Sequence, residues 1–347
     1  MSNPIQQLSP EDYEQWNAFV YHHPFGTIFH HSIWKELIEL TFGHEACYFF
    51  TRKRNRITAA LPFFFLKHPI SSRLLSLPYT PYCDPLFRKK KDLEIIVSEV
   101  MQFLKIHRAT HLGFRTSFTR IGMENFLCSS NITKTAYRLK LPRSQSKLHK
   151  VLKTTGVHPE IIELNPQLFN IRAGKEERDI RLIYHFYVMA NRSSRLILPF
   201  KFFLNMWRLL YPQNMLTPLI IQRSDVPIGG SMLLRFKNTC YVFLGGINPH
   251  LSDNHLEEIL LVSILHFCIQ KDYRYVEFPR GNFSGYQLNN FLENIGATQY
   301  FIHESSYTRL FQANGELQEN KREETPELEA SMDNVIQIDK NELRFTG

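Results

Sequence analysis

This sequence has no cysteine pairing pattern. Its five cysteines, Cys47, Cys83, Cys128, Cys240 and Cys268, are odd in number and none sits in a CxxC pair. That usage excludes a disulfide framework and a zinc ribbon and suits a reducing compartment. A long apolar run is missing too. The longest, Ile259 to Ile269, contains Ser263 and His266 and is too short to span a bilayer. Met1 to Val20 is polar and acidic, without the basic-then-apolar order of a secretory signal. No HExxH or Cys/His spacing accompanies His22-His23 and His30-His31, and adjacent residues in a strand or turn point apart, so no metal site is expected. There is no GxSxG elbow, and Phe283-Ser284-Gly285 does not supply one, which argues against a Ser-His-Asp hydrolase. The expectation is a cytoplasmic protein with no transmembrane segment, at most in peripheral contact with a membrane.

What is present is a chain of 347 residues, long enough for two domains, with 43% hydrophobic residues and 28 phenylalanines. Aromatic-rich cores follow. The net charge of +8 is unevenly spread: residues 313–347 hold nine acidic and four basic side chains, which leaves about +13 on the rest. A basic body suits a phosphate-bearing partner such as a coenzyme, a tRNA or an anionic membrane surface; DNA is not expected.

Hydrophobic periodicity yields one element order twice. In the first half a helix from Ser32 to Gly43 precedes strands at Ala46–Thr51, Ile57–Leu66 and Arg73–Tyr79. A long helix at Lys89–His107, a strand at His111–Arg115, a short helix at Arg120–Phe126 and a strand at Thr135–Leu141 complete it. In the second half helices at Ile180–Ala190 and Pro199–Tyr211 precede strands at Leu216–Gln222, Ile228–Phe236 and Thr239–Gly245. The long helix is then Leu256–Gln270, followed by a strand at Tyr275–Phe278, a helix at Tyr286–Glu293 and a strand at Gln299–Leu310. The predicted fold class is α/β with mixed sheets, in two similar domains at 1–143 and 144–312. A polar, acidic tail at 313–347 is expected to be disordered.

Three landmarks carry a resemblance. They are Phe29-His30-His31-Ser32-Ile33-Trp34 with Ala60-Leu61-Pro62, then Asp225 to Gly230 leading into Tyr241 to Gly246, then Tyr275 to Gly281 with Phe291 to Ala297. In order they resemble the FemAB-like branch of the GNAT superfamily, which includes the CelD-like N-acyltransferases. That resemblance implies two tandem GNAT-like domains and acyl transfer to an amine, with acyl-CoA as co-substrate. Alternatives are an aminoacyl-tRNA-dependent transferase acting on a cell-envelope precursor and an inactive binding module; the acceptor would be a small molecule or such a precursor. The chain departs from the pattern in two places. Leu292 stands where the family often has lysine, and Asn248 to His255 has no glycine where ordinary GNAT enzymes bind pyrophosphate.

The chemistry of acyl transfer suggests roles for particular residues. A backbone N–H near Leu244, Gly245 and Gly246 would polarise the donor carbonyl, since glycines allow close backbone approach; the same pair would also fit a strand-end bulge. Asn254 and His255 open the long helix, whose free N–H groups favour an anion, although Asp253 or Asn254 would serve equally well as a cap. Glu277 is a candidate base and Tyr286 a candidate acid. Arg280 would hold an anionic group. In the first half, Tyr79, Tyr82 and Asp84 lie in a proline-stiffened loop that would wall the acceptor site. Trp34 is expected in the core. The chemistry is expected in the second half, because Leu77-Pro78-Tyr79 offers a proline where the second half has paired glycines.

Overall fold

A computed structural model of the chain describes residues 6–308 except 70, 118–128, 158–160, 162, 164–168, 193–196, 249, 252–254 and 280–285, together with 310–311 and 317–318. Met1–Thr308 forms one compact unit and Arg309–Gly347 a second.

The first unit opens with strand β1 (Gln6–Gln7) and a 3-10 turn at Pro10–Asp12. The Ser9 hydroxyl donates to the Asp12 carboxylate at 3.0 Å. Helix α1 (Tyr13–His22) and helix α2 (Ser32–Phe42) follow. The His31 ring caps α2 by accepting from the Ile33 N–H, and Gly43, at φ +68°, ends it in the left-handed conformation that glycine adopts without penalty. Strands β2 (Glu45–Lys53), β3 (Arg56–Leu66), β4 (Arg73–Leu75) and β5 (Leu86–Phe87) precede helix α3 (Lys90–Ile106) and strands β6 (His111–Thr116) and β7 (Ser129–Lys140). Helix α4 (Gln145–Lys153) is capped by the Ser144 hydroxyl. Strand β8 (Phe169–Ala173) leads to helices α5 (Glu177–Ala190) and α6 (Phe200–Leu210). The second half closes with β9 (Leu216–Arg223), β10 (Val226–Phe236), β11 (Thr239–Ile247), α7 (Leu256–Gln270), β12 (Tyr275–Phe278), α8 (Tyr286–Asn294) and β13 (Thr298–Thr308).

The repeat is present in the topology. β2-β3-β4 and β9-β10-β11 are antiparallel triplets, and each third strand runs parallel to the strand after a long helix, β4 to β6 and β11 to β12. The predicted strand at Arg73–Tyr79 ends early, at Leu75. Leu77 and Tyr79 take positive φ (43° and 68°), and the intervening Pro78 has no N–H to donate to a ladder.

The halves share one sheet in the order β1-β2-β3-β4-β6-β13-β7-β12-β11-β10-β9-β8. Their closing strands exchange neighbours: β13, from the second half, pairs with β6, and β7, from the first, pairs with β12. The division at 143/144 therefore marks chain order, and the sheet runs continuously across it. Alternation along the strands sends side chains to two faces. One face is common to both halves, where Tyr48, Phe64, Met232 and Phe243 pack under α1, α2, α5 and α6. On the other face Phe63 and Phe114 lie under α3, and Val242 and Val276 under α7. Trp34 is fully buried in the common face, edge-on to Phe29 and Phe243.

In the second unit Leu310–Phe311 pairs antiparallel with Leu317–Gln318. The expectation for 313–347 otherwise falls outside the described residues, as does the short helix expected at 120–126. Among the described residues no helix is long and apolar enough to cross a membrane.

Candidate functional site

The centre of the common face holds a buried carboxylate. Glu277 sits on β12, two residues after Tyr275, with alternation turning it away from Val276 and Phe278. It is 3% exposed. The Tyr82 hydroxyl donates to its Oε2 at 2.7 Å and the Tyr300 hydroxyl to the same oxygen at 3.3 Å. Its Oε1 lies 3.6 Å from Nε of Arg138, which stands opposite it on β7. The Arg138 guanidinium stacks over the Tyr275 ring at 4.1 Å and is itself half-exposed, so it is the wet end of this network.

Burial pushes the Glu277 carboxyl above its ordinary value. Arg138 and the two phenols pull it partly back by favouring the anion, and nearby Asp84 pushes it up again. The Tyr82, Tyr300 and Tyr241 hydroxyls are driven well above 10, mainly by burial and then by the charge of Glu277, so they remain protonated donors. The two protonated phenols and the guanidinium favour the ionised form of this acid and oppose the effect of its burial.

Beside this acid the sheet opens. Among the described residues β11 and β12 pair only at Thr239–Tyr275, Cys240–Val276 and Tyr241–Glu277, while β11 continues to Ile247. On its other edge β11 bulges: Met232 faces Leu244 and Leu233 faces Val242, so β11 carries one extra residue, Phe243, at this point. The extra residue puts both Phe243 and Leu244 on the common face, with Val242 on the other.

The expected site residues fall into separate places. Tyr82 and Glu277, 195 residues apart in sequence, are in direct contact. Asp84 is fully buried close by; both of its carboxylate oxygens accept from the Ser117 N–H at 3.1 Å, and its carbonyl is bonded to His30 Nε2 at 2.7 Å. His30 accepts at Nδ1 from the Thr27 N–H, and burial lowers its pKa to about 3, so it is a neutral clamp on this loop. Tyr79 lies apart, stacked on Phe42 at 4.0 Å with its hydroxyl 2.9 Å from His44. Leu244 is buried. Gly245 and Gly246 are tight: a Cβ on Gly245 would lie 2.2 Å from the Gly230 oxygen, and one on Gly246 would lie 2.5 Å from the Phe186 oxygen of α5. His255 is exposed at the start of α7, paired with Glu258 at 3.2 Å. Asn254 and Arg280 lie outside the described residues, as does the Tyr286 side chain; its backbone begins α8. Sequence reasoning missed Arg138, Tyr241 and Tyr300. Alternation alone placed them on a face, but nothing local said which strands would be neighbours.

Among the described residues no group of three or more His, Cys, Asp or Glu is placed to hold a metal. His23 and His30 bond backbone carbonyls and His31 caps a helix.

Residues 169–288 match the family model of the acetyltransferase (GNAT) domain. Among solved structures the chain is similar to FemX, with a TM-score of 0.64 and 10% identity over 88% of this chain and 97% of that one. It is similar to a tandem GNAT protein from the clavulanic acid biosynthesis pathway, at 0.55 and 10% identity over 88% and 98%. A third likeness is the C-terminal domain of a putative lysylphosphatidylglycerol synthetase from Agrobacterium fabrum, at 0.52 and 11% identity over 85% and 91%. No curated protein matches the sequence. At such identities the structures establish a common fold, the tandem GNAT arrangement.

Proposed function

We propose that this acyltransferase, a tandem GNAT chain of the FemAB-like branch, moves an acyl group to an amine acceptor at the opening between β11 and β12. The observation that carries the reading is the end of the β11–β12 ladder at Tyr241–Glu277, beside the bulge at Phe243. An acyl carbonyl placed there meets the backbone of β11 beyond the ladder, and an N–H of that strand stabilises a developing oxyanion. The amine attacks the carbonyl carbon, a C–N bond forms and Glu277 takes the amine proton. Collapse of the tetrahedral adduct breaks the bond to the leaving group, which departs with a proton. Tyr82 and Tyr300 hold Glu277 in place, and Tyr286 is the proposed donor of that second proton.

For the donor, an aminoacyl ester of tRNA is favoured over acyl-CoA by the first turn of α7. A coenzyme pyrophosphate would be bound by the N–H groups there, yet Glu257 and Glu258 occupy that turn and the segment before it has no glycine. Two acids on the spot repel a pyrophosphate. The GNAT match over residues 169–288 supports acyl-CoA as the second reading, with Asn254, His255 and Arg280 as its contacts. The acceptor is taken to be a small amine or a cell-envelope precursor, walled by the loop that carries Tyr82 and Asp84. Four buried, unpaired cysteines support a cytoplasmic site of action.

Equilibrium dialysis against acetyl-CoA, longer acyl-CoAs and aminoacylated tRNA separates these readings. Salt-sensitive retention of tRNA with no CoA binding is expected. Tight CoA binding overturns the donor assignment, and binding of no donor makes the chain a binding module.

A further inference from the structure

Three segments distant in sequence bring positive charge to one end of the central strands. The closed end of the β10–β11 hairpin carries Arg235 and Lys237, the α7–β12 connection carries Lys271 and Arg274, and the end of β7 with the residues just after it carries Lys140 and Arg143. Backbone hydrogen bonds join them into one surface: the Leu141 N–H donates to Arg274 and the Arg274 N–H donates to Asn238, at 2.9 Å each. Helix α4 extends the band with exposed Lys147, Lys150 and Lys153. Lys237 donates from Nζ to the His23 carbonyl at 2.6 Å, and burial, then neighbouring Arg138, lower its pKa to about 8. The acids of this region are Asp272 and Glu293, and the latter accepts from the Tyr137 hydroxyl.

Two features separate this band from a merely soluble surface. Lys140, Arg143 and Lys147 rim a groove of about 360 Å³ floored by Leu139, Leu141 and Ile295, and none of the three makes an ion pair among the described residues. The cations also alternate with aromatic rings: Arg235 lies over Tyr273 at 5.9 Å, and Arg274 and Arg138 lie over Tyr275 at 5.3 and 4.1 Å. Basic side chains interleaved with rings match a phosphate backbone with stackable bases. A membrane would need large apolar side chains to insert. Exposed Tyr21 stands against Phe236 at the β10–β11 end, but among the described residues no exposed large apolar side chain lines the Lys140–Arg143–Lys147 groove.

We infer that this band, centred on the Lys140–Arg143–Lys147 groove, is the docking surface for the RNA body of the donor. The inference rests on the aminoacyl-tRNA reading. Arg138, stacked on Tyr275 at this end of the strands, also approaches Glu277 at 3.6 Å.

The test uses the full chain and fluorescently labelled unfractionated tRNA, with anisotropy read across a KCl series. In the variant K140Q/R143Q/K147Q the affinity should fall at least tenfold at moderate salt. The slope of log K against log[KCl] should drop by about 2, since each lost phosphate contact removes roughly 0.7–0.9. A control variant, K89Q/K90Q/K91Q at the exposed start of α3, should bind as the parent does. Equal losses in both variants, or none in the first, overturn the surface. So does binding of the parent to vesicles rich in anionic lipid with no binding to tRNA. If tRNA binds and the groove variant weakens it, but no aminoacyl group is ever transferred, the surface stands and the donor reading fails.

Discussion

At the scale of single residues, the proposal turns on Glu277. The proposed base works only when ionised, so the rate should rise with pH through its pKa, which lies above the ordinary 4.5 because the carboxyl is buried. The Tyr82 hydrogen bond favours the anion and therefore lowers that pKa. Tyr82→Phe should move the acid limb of the kcat/KM profile to higher pH, while Glu277→Gln should remove most of kcat at every pH. A limb that stays in place, or moves down, would show that Glu277 is a structural acid. Glu277 was legible in the sequence, since strand alternation separates it from Val276 and Phe278. Its partners Arg138 and Tyr300 were not, because they reach it only through strands whose neighbours are chosen in three dimensions.

At the scale of elements, the glycines of β11 have a packing reason that no sequence pattern displays. Gly246 lies against α5, where a Cβ would sit 2.5 Å from the Phe186 carbonyl oxygen and 3.0 Å from the Ala190 Cβ. The helix must move to admit it, at about 1–3 kcal/mol for an overpacked contact. Gly246→Ala should lower the melting temperature by several degrees, whatever it does to donor binding. Gly43→Ala is the useful contrast: its Cβ meets nothing within 4 Å, and only the positive φ of 68° opposes it, which costs about 1 kcal/mol. A Gly246→Ala protein as stable as its parent would mean that α5 gives way freely and that the glycine is there for a ligand.

At the scale of the whole molecule, the exchange of β7 and β13 ties the two halves into one sheet. Cut at 143/144, residues 1–143 would carry β7 without β12, and residues 144–308 would carry β13 without β6. Each fragment exposes unpaired central strand edges, which cost stability and invite aggregation. Neither fragment should fold alone to a soluble monomer, whereas co-expression should return a paired complex. Urea unfolding of the intact chain should show one transition, coincident by fluorescence and circular dichroism. A cooperative melt of isolated 1–143 would show that the first half closes on itself.

The sequence by itself determined what local physics controls. Apolar alternation set which residues share a strand face, Ser32 and Gly43 bounded α2, and the doubled element order announced two similar α/β halves. Tertiary structure alone decided that β7 and β13 would trade places, that Tyr82 would meet Glu277 across 195 residues, and that three separate segments would pool their cations at one end of the sheet. The reason is physical. Periodicity and caps are satisfied within a turn or a strand, but strand pairing is settled by the apolar area and backbone hydrogen bonds that the complete chain can bury at once, and no window of sequence contains that sum.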